Sequence, residues 1–193
     1  MSCKLKTSII ALLILSNFQV MTFAQDIVNG DFESWTSNTS GILEPDSWET
    51  QNEPELIFVE SSEGHSGKYS ACMNVVWDNM MKKFTGASLS ITQPVNADQK
   101  IGFLTGYCKG NSTNTDSLKI EIELFSTDKL IGTGLITIIQ TAGDWTRFTV
   151  SIVYFTDMQP DKADISFAII PVTGSYHQTE YCIDDLYFRK KNK

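Results

Sequence analysis

Histidine is nearly absent: His65 and His177 are the only two in 193 residues. Neither lies in a nucleophile motif. The chain also has no G-x-S-x-G, no H-E-x-x-H and no phosphate-cradling glycine loop. Those absences remove the commonest signatures of acyl transfer, zinc proteolysis and nucleotide hydrolysis. Cysteine is scarce too, with four in all, and no C-x-x-C or Cys/His cluster has zinc-site spacing. No stretch sustains a 3.6-residue period, so no amphipathic helix is expected. Beyond residue 24 no apolar run approaches the roughly 20 residues a bilayer span needs. Basic residues are the minority, 15 against 23 acidic ones. Such a surface repels nucleic acid and anionic lipid, and suits cations or neutral ligands.

What is there begins with an export pattern. Lys4 and Lys6 precede the apolar run 8–15, and Thr22-Phe23-Ala24 forms a small-residue cleavage site before Gln25. The apolar run is too short for a membrane anchor. Residues 1–24 are therefore expected to be a cleaved signal, and the protein to reach the periplasm, the cell surface or the medium. Residues 25–189 then form a single domain, followed by a basic tail at 190–193. Without Lys4 and Lys6 the net charge is about −10, from 13 basic and 23 acidic residues. Cys72, Cys108 and Cys182 remain, an odd number that forbids full pairing within one chain. Three small, semi-buried thiols are the plain expectation; if a disulfide forms, Cys72–Cys182 is the preferred pair.

The dominant signal is period-two alternation in β-rich segments, broken by Gly, Asn, Asp and Ser. Strands are expected at 27–35, 56–60, 68–77, 87–95, 101–108, 117–126, 131–139, 146–155, 163–172 and 180–188, with shorter pieces bringing the total to about eleven. Alternation buries one face of each strand and wets the other. That pattern requires two antiparallel sheets packed face to face, an all-β sandwich. So many short strands fit a jelly roll better than a seven-stranded immunoglobulin-type domain.

The chain also resembles a known family. Asn29-Gly30-Asp31-Phe32-Glu33, then Pro45-Asp46-Ser47-Trp48, is similar to the opening of galactose-binding-like jelly rolls. These include carbohydrate-binding modules of families four and nine and related secreted bacterial proteins. His65-Ser66-Gly67-Lys68-Tyr69-Ser70, Ser90-Ile91-Thr92-Gln93-Pro94-Val95 and Ile183-Asp184-Asp185-Leu186 match three further landmarks in the same order. The resemblance covers nearly the whole chain after residue 25 and implies the fold more strongly than the ligand.

The resemblance implies a structural calcium at one edge of the sandwich. The matching residues are Glu33, Asp184 and backbone carbonyls near Glu63, Ser66 and Lys68. Calcium takes 6–8 oxygens, and carboxylates mixed with loop carbonyls supply them. The alternative is that Glu33 and Asp184 cap loop amides or pair with Lys68. Asp184 is expected to be the ligand rather than Asp185, with alternation placing it on the side of Leu186 and Phe188.

Sugar binding needs flat aromatic platforms flanked by amides and carboxylates. Trp35, Trp48, Tyr69 and Trp145 read as packing residues, and His65 as part of the turn. Trp77 with Asp78 and Asn79, at a strand end, is the leading ligand site. Tyr107, and Tyr176 with His177, are further candidates. Glu121 and Glu123 share one strand face, but they alternate with Ile120, Ile122 and Leu124 and read as a wet face. The expectation is an exported, non-catalytic glycan-binding protein, free-standing rather than attached to an enzyme. A structural or interaction domain contacting protein or another surface component is the alternative, and a glycoside hydrolase the remote one.

Overall fold

The structure is a computed structural model that describes residues 25–96, 100–111, 115–139, 141, 143–172 and 178–190. The export segment, the tail beyond Lys190, Tyr176 and His177 lie outside the described residues.

Fifteen strands follow one another among the described residues. The first seven are β1 (Gln25–Asp26), β2 (Trp35–Ser37), β3 (Leu43–Pro45), β4 (Glu49–Thr50), β5 (Val59–Glu63), β6 (Tyr69–Asp78) and β7 (Lys83–Gly86). Then come β8 (Ser88–Pro94), β9 (Ile101–Asn111), β10 (Ser117–Ser126), β11 (Lys129–Ile138) and β12 (Thr146–Ser151). The last three are β13 (Val153–Tyr154), β14 (Lys162–Ile170) and β15 (Glu180–Lys190). One sheet runs β12-β9-β15-β6-β5, with β1 added to β15 and β7 to β6; the other runs β13-β11-β10-β14-β8-β4. All pairings are antiparallel. The ends of the domain meet, Gln25 opposite Phe188 and Asp26 opposite Tyr187.

Alternation explains the layers. On β10 Leu118, Ile120, Ile122 and Leu124 are buried, while Lys119, Glu121 and Glu123 are only half-buried. Ala163, Ile165, Phe167 and Ile169 on the neighbouring β14 do the same. Facing them across the sandwich are Ala71, Met73, Leu104, Phe148, Val150, Ile183 and Phe188. Each large apolar side chain buried here contributes about 1.5–3 kcal/mol.

Two expected strands differ. Residues 27–35 are mostly a loop, because Asn29 and Phe32 take left-handed φ values of 47° and 49°. The Asn29 side chain pins that loop, donating to the Ser34 and Asp46 carbonyls and accepting from the Ser34 amide. Residues 146–155 split at Ile152, so that β12 lies in one sheet and β13 in the other. Such a corner closes a sandwich.

Cys72 and Cys182 sit directly opposite each other on β6 and β15 and form a disulfide. This corrects the expectation of three free thiols. The register that places them side by side spans 110 residues and leaves no local trace. Cys108 stays free and buried, and burial pushes its thiol up to about 11.

Candidate functional site

Core residues alternate with a second set on the outward face of the seven-stranded sheet. On β9 this set is Phe103, Thr105, Tyr107, Lys109 and Asn111; on β12 it is Arg147, Thr149 and Ser151. On β15 it is Glu180, Cys182, Asp184, Tyr187 and Arg189.

The turn between β5 and β6 folds back over this face. The Gly64 amide donates to the Lys68 carbonyl at 3.4 Å, closing the turn. Gly67 has φ +61°, and a Cβ there would collide with the Glu33 carboxylate. Glu33 Oε1 accepts the Lys68 and Tyr69 amides at 2.6 and 2.8 Å. Asp184 Oδ2 accepts the His65 and Ser66 amides at 2.7 and 3.2 Å, and its Oδ1 accepts the Asp185 amide at 2.7 Å. Burial pushes Asp184 up to about 6 against the pull of those amides.

Alternation alone misplaces this pair of aspartates. The register slips between Asp184 and Tyr187, and Asp185 takes φ 50°. This bulge returns Leu186 and Phe188 to the core while both carboxylates reach the turn. Asp184 therefore lies on the opposite face from Leu186 and Phe188, not with them. Asp185 meets His65 Nδ1 at 2.6 Å and accepts the Ser66 hydroxyl at 2.7 Å.

Locked from below by Asp185, the His65 ring stacks on Tyr107 with centroids 3.7 Å apart and planes 14° apart. Trp145 stands edge-on to the same imidazole at 5.7 Å. Lys109 lies over the Trp145 ring at 5.3 Å. Arg147, opposite Tyr107 in register, donates to the Tyr187 hydroxyl at 2.8 Å. Three half-exposed rings thus gather beside cations, a carboxylate and hydroxyls. This is the set of groups that carbohydrate recognition uses: ring faces for stacking, with fixed polar groups for hydroxyls.

The sequence candidates do not all converge here. Tyr107 lies at the centre of the cluster. Trp77 is seven positions further along β6 than Ser70, which is level with Asp184 and Tyr107. At about 3.3 Å per residue that is roughly 23 Å away. Trp77 is 43% exposed and packs edge-on against Phe84 in the β6–β7 hairpin. Asp78 caps the turn, its Oδ1 accepting the Met80 and Met81 amides, and Asn79 is exposed at the tip. Trp48 is a packing residue as expected, lying 5.2 Å from Phe32 and 6.1 Å from Phe167. Trp145 is not only that: its ring belongs to the outward cluster. No local signal marks it, because its neighbours His65 and Lys109 come from distant segments.

The proposed calcium ligands do meet at one place, around this turn. The oxygens there, including Glu33 Oε2 and the turn carbonyls of Glu63, Ser66 and Lys68, are of the kind calcium takes. The bonds that are formed, however, cap amides: a metal would compete with them. The one other group that comes together among the described residues is Cys72, Glu180 and Cys182, whose sulfurs are spent in the disulfide. On the far sheet Glu121 is held by Lys119 at 2.7 Å, and Glu123 faces Asp164 across the strand pair.

Solved structures share this architecture. A provisionally assigned glycoside hydrolase from Bacteroides thetaiotaomicron superposes with a TM-score of 0.59 at 9% identity, covering 84% of this chain and 71% of that one. One from Bacteroides vulgatus gives 0.56 at 12%, covering 81% and 90%. The fold is a jelly roll. A family-61 carbohydrate-binding module solved with β-1,4-galactotriose gives 0.49 at 12%, covering 85% and 93%. No family model and no curated protein matches the chain.

Proposed function

We propose that this jelly roll binds a glycan on the outward face of its seven-stranded sheet and does no chemistry on it. The observation that carries the reading is the ring cluster of Tyr107, His65 and Trp145, held by Asp185 and flanked by Lys109 and Arg147. Tyr107 and Trp145 offer stacking surfaces, Lys109 and Arg147 offer hydrogen bonds, and Asp185 holds the His65 ring in place. The names of the two Bacteroides proteins of like fold point toward glycosides as well. Against catalysis stand the carboxylates themselves. Both oxygens of Asp184 are turned to backbone amides, and Asp185 is tied to His65 and Ser66. Neither is free to serve as general acid or nucleophile.

A glycan array with the mature protein, run with and without calcium, tests the reading. Binding should be lost in Trp145→Ala and in Tyr107→Ala and kept in Trp77→Ala. Loss confined to Trp77→Ala would move the site to the hairpin. Absence of any glycan signal would overturn the reading.

One observation favours the alternative of an interaction domain. Trp77, Met80 and Met81 are 43%, 93% and 58% exposed at one hairpin tip, an apolar cluster of the kind that marks protein contacts. Export through cleavage after Ala24, and a structural calcium at the Glu33–Asp184 turn, complete the proposal. N-terminal sequencing of the mature protein tests the first: a start far from Gln25 would overturn it.

A further inference from the structure

Three cations line one stripe of the seven-stranded sheet's outward face. The outward positions of β9 and β12 hold Lys109 and Arg147 and no carboxylate. Arg189 follows on β15, its guanidinium 5.3 Å from the Phe103 ring centroid. Arg147 and Arg189 are the only arginines of the chain. With 23 acidic residues against 15 basic ones, carboxylate partners are plentiful. Yet among the described residues neither arginine, nor Lys109, is in an ion pair. Each instead lies against an aromatic side chain of this face: Trp145, Tyr187 or Phe103.

The carboxylates near this stripe are at its rim or already engaged. Asp26 pairs in register with Tyr187, Asp144 precedes Trp145, and Glu180 stands at the strand end opposite Asn111. Asp184 accepts three backbone amides, and Asp185 is bonded to His65 and Ser66. Beneath the Arg147–Tyr187 bond lies Thr105, opposite Thr149 and Tyr187 in register. It is fully buried, and its hydroxyl has no hydrogen-bond partner. The outward face of the other sheet differs: Glu121, Glu123 and Asp164 stand there with Lys119 and Lys162, and both of those lysines are ion-paired, to Glu121 and Asp128.

We infer that the ligand of this face is an acidic glycan, one whose sugar rings carry carboxylate or sulfate groups. The inference rests on the glycan-binding reading and adds the charge class. A neutral sugar needs ring faces and hydrogen bonds but gains little from three unpaired cations. An anionic group gains a charge-assisted bond from each, and the planar guanidinium matches carboxylate and sulfate oxygens in pairs. The rows of Tyr107 and Phe103 are four residues apart on β9, so Arg147 and Arg189 are separated by about 13 Å along the sheet. One sugar ring does not bridge that span; an oligosaccharide lying along the aromatic stripe does.

Calorimetric titration of the mature protein with polygalacturonate, dextran sulfate, neutral β-1,4-galactan and polyglutamate tests this. At least one acidic glycan should bind about tenfold or more tightly than galactan, and more weakly as salt is raised. Polygalacturonate and dextran sulfate separate carboxylate from sulfate. Replacing both arginines, Arg147→Gln with Arg189→Gln, should cost about tenfold or more in that affinity without lowering the melting temperature. Galactan binding as tightly as both acidic glycans, or an unchanged affinity in the double variant, would overturn the charge class and leave the glycan reading in place. Polyglutamate binding as well as the acidic glycans would overturn it too, since rings would not matter. Silence from every polymer would overturn both readings together.

Discussion

Asp184 carries the most perturbed carboxylate of the site. Its folded-state value of about 6 exceeds the ordinary 3.8, so the folded protein holds that proton more tightly than the unfolded chain. The stability it contributes is fully present below the ordinary value and is lost as pH rises through about 6. With chelator present, the wild type should therefore lose stability relative to Asp184→Asn between about pH 4 and pH 7. Denaturant midpoints for the two proteins across that window check this, and parallel curves would refute it. At this scale the sequence exposed part of the site. Tyr107 was a candidate from the strand it lies on and Asp184 from its motif, although alternation put Asp184 on the wrong side of β15. His65 and Trp145 were not, because each acquires its role only by touching a residue brought from elsewhere in the chain.

Among the elements, β15 does the most to assemble the site. It pairs with β9, β6 and β1, and its bulge at Asp185 turns two carboxylates toward the β5–β6 turn. The Cys72–Cys182 disulfide fixes β15 to β6 two residues away from Asp184. Replacing both cysteines by alanine should cost about 2–5 kcal/mol, because a cross-link closing so long a loop restricts the unfolded chain. Equilibrium denaturation of the double variant measures it; an unchanged midpoint would mean the bond adds nothing. Strand existence was largely readable: 117–126 coincides with β10, and the 163–172 expectation falls within two residues of β14. The loop at 27–35 was not, since left-handed Asn29 and Phe32 look like ordinary alternation in sequence. Nor was the bulge, a one-residue slip that reverses every later side chain.

For the whole molecule, the Glu33–Asp184 turn joins the opening loop, the β5–β6 hairpin and the last strand. If calcium binds there, chelator should lower the melting temperature by several degrees, through the linkage between a bound ion and folding. Scanning calorimetry with and without chelator decides, and superimposable melting curves would leave the amide caps as the whole of the linkage.

The sequence by itself determined the two-layer sandwich, its core positions and its acidic balance, because period-two burial and composition are local properties that every segment records. Only the tertiary structure decided which residues share the site. It placed Tyr107 with His65 and Trp145, moved Trp77 to a separate tip, joined Cys72 to Cys182, and set both arginines on one aromatic face. Those are juxtapositions across sheet register, and register is fixed by the packing of the whole core rather than by any segment within it.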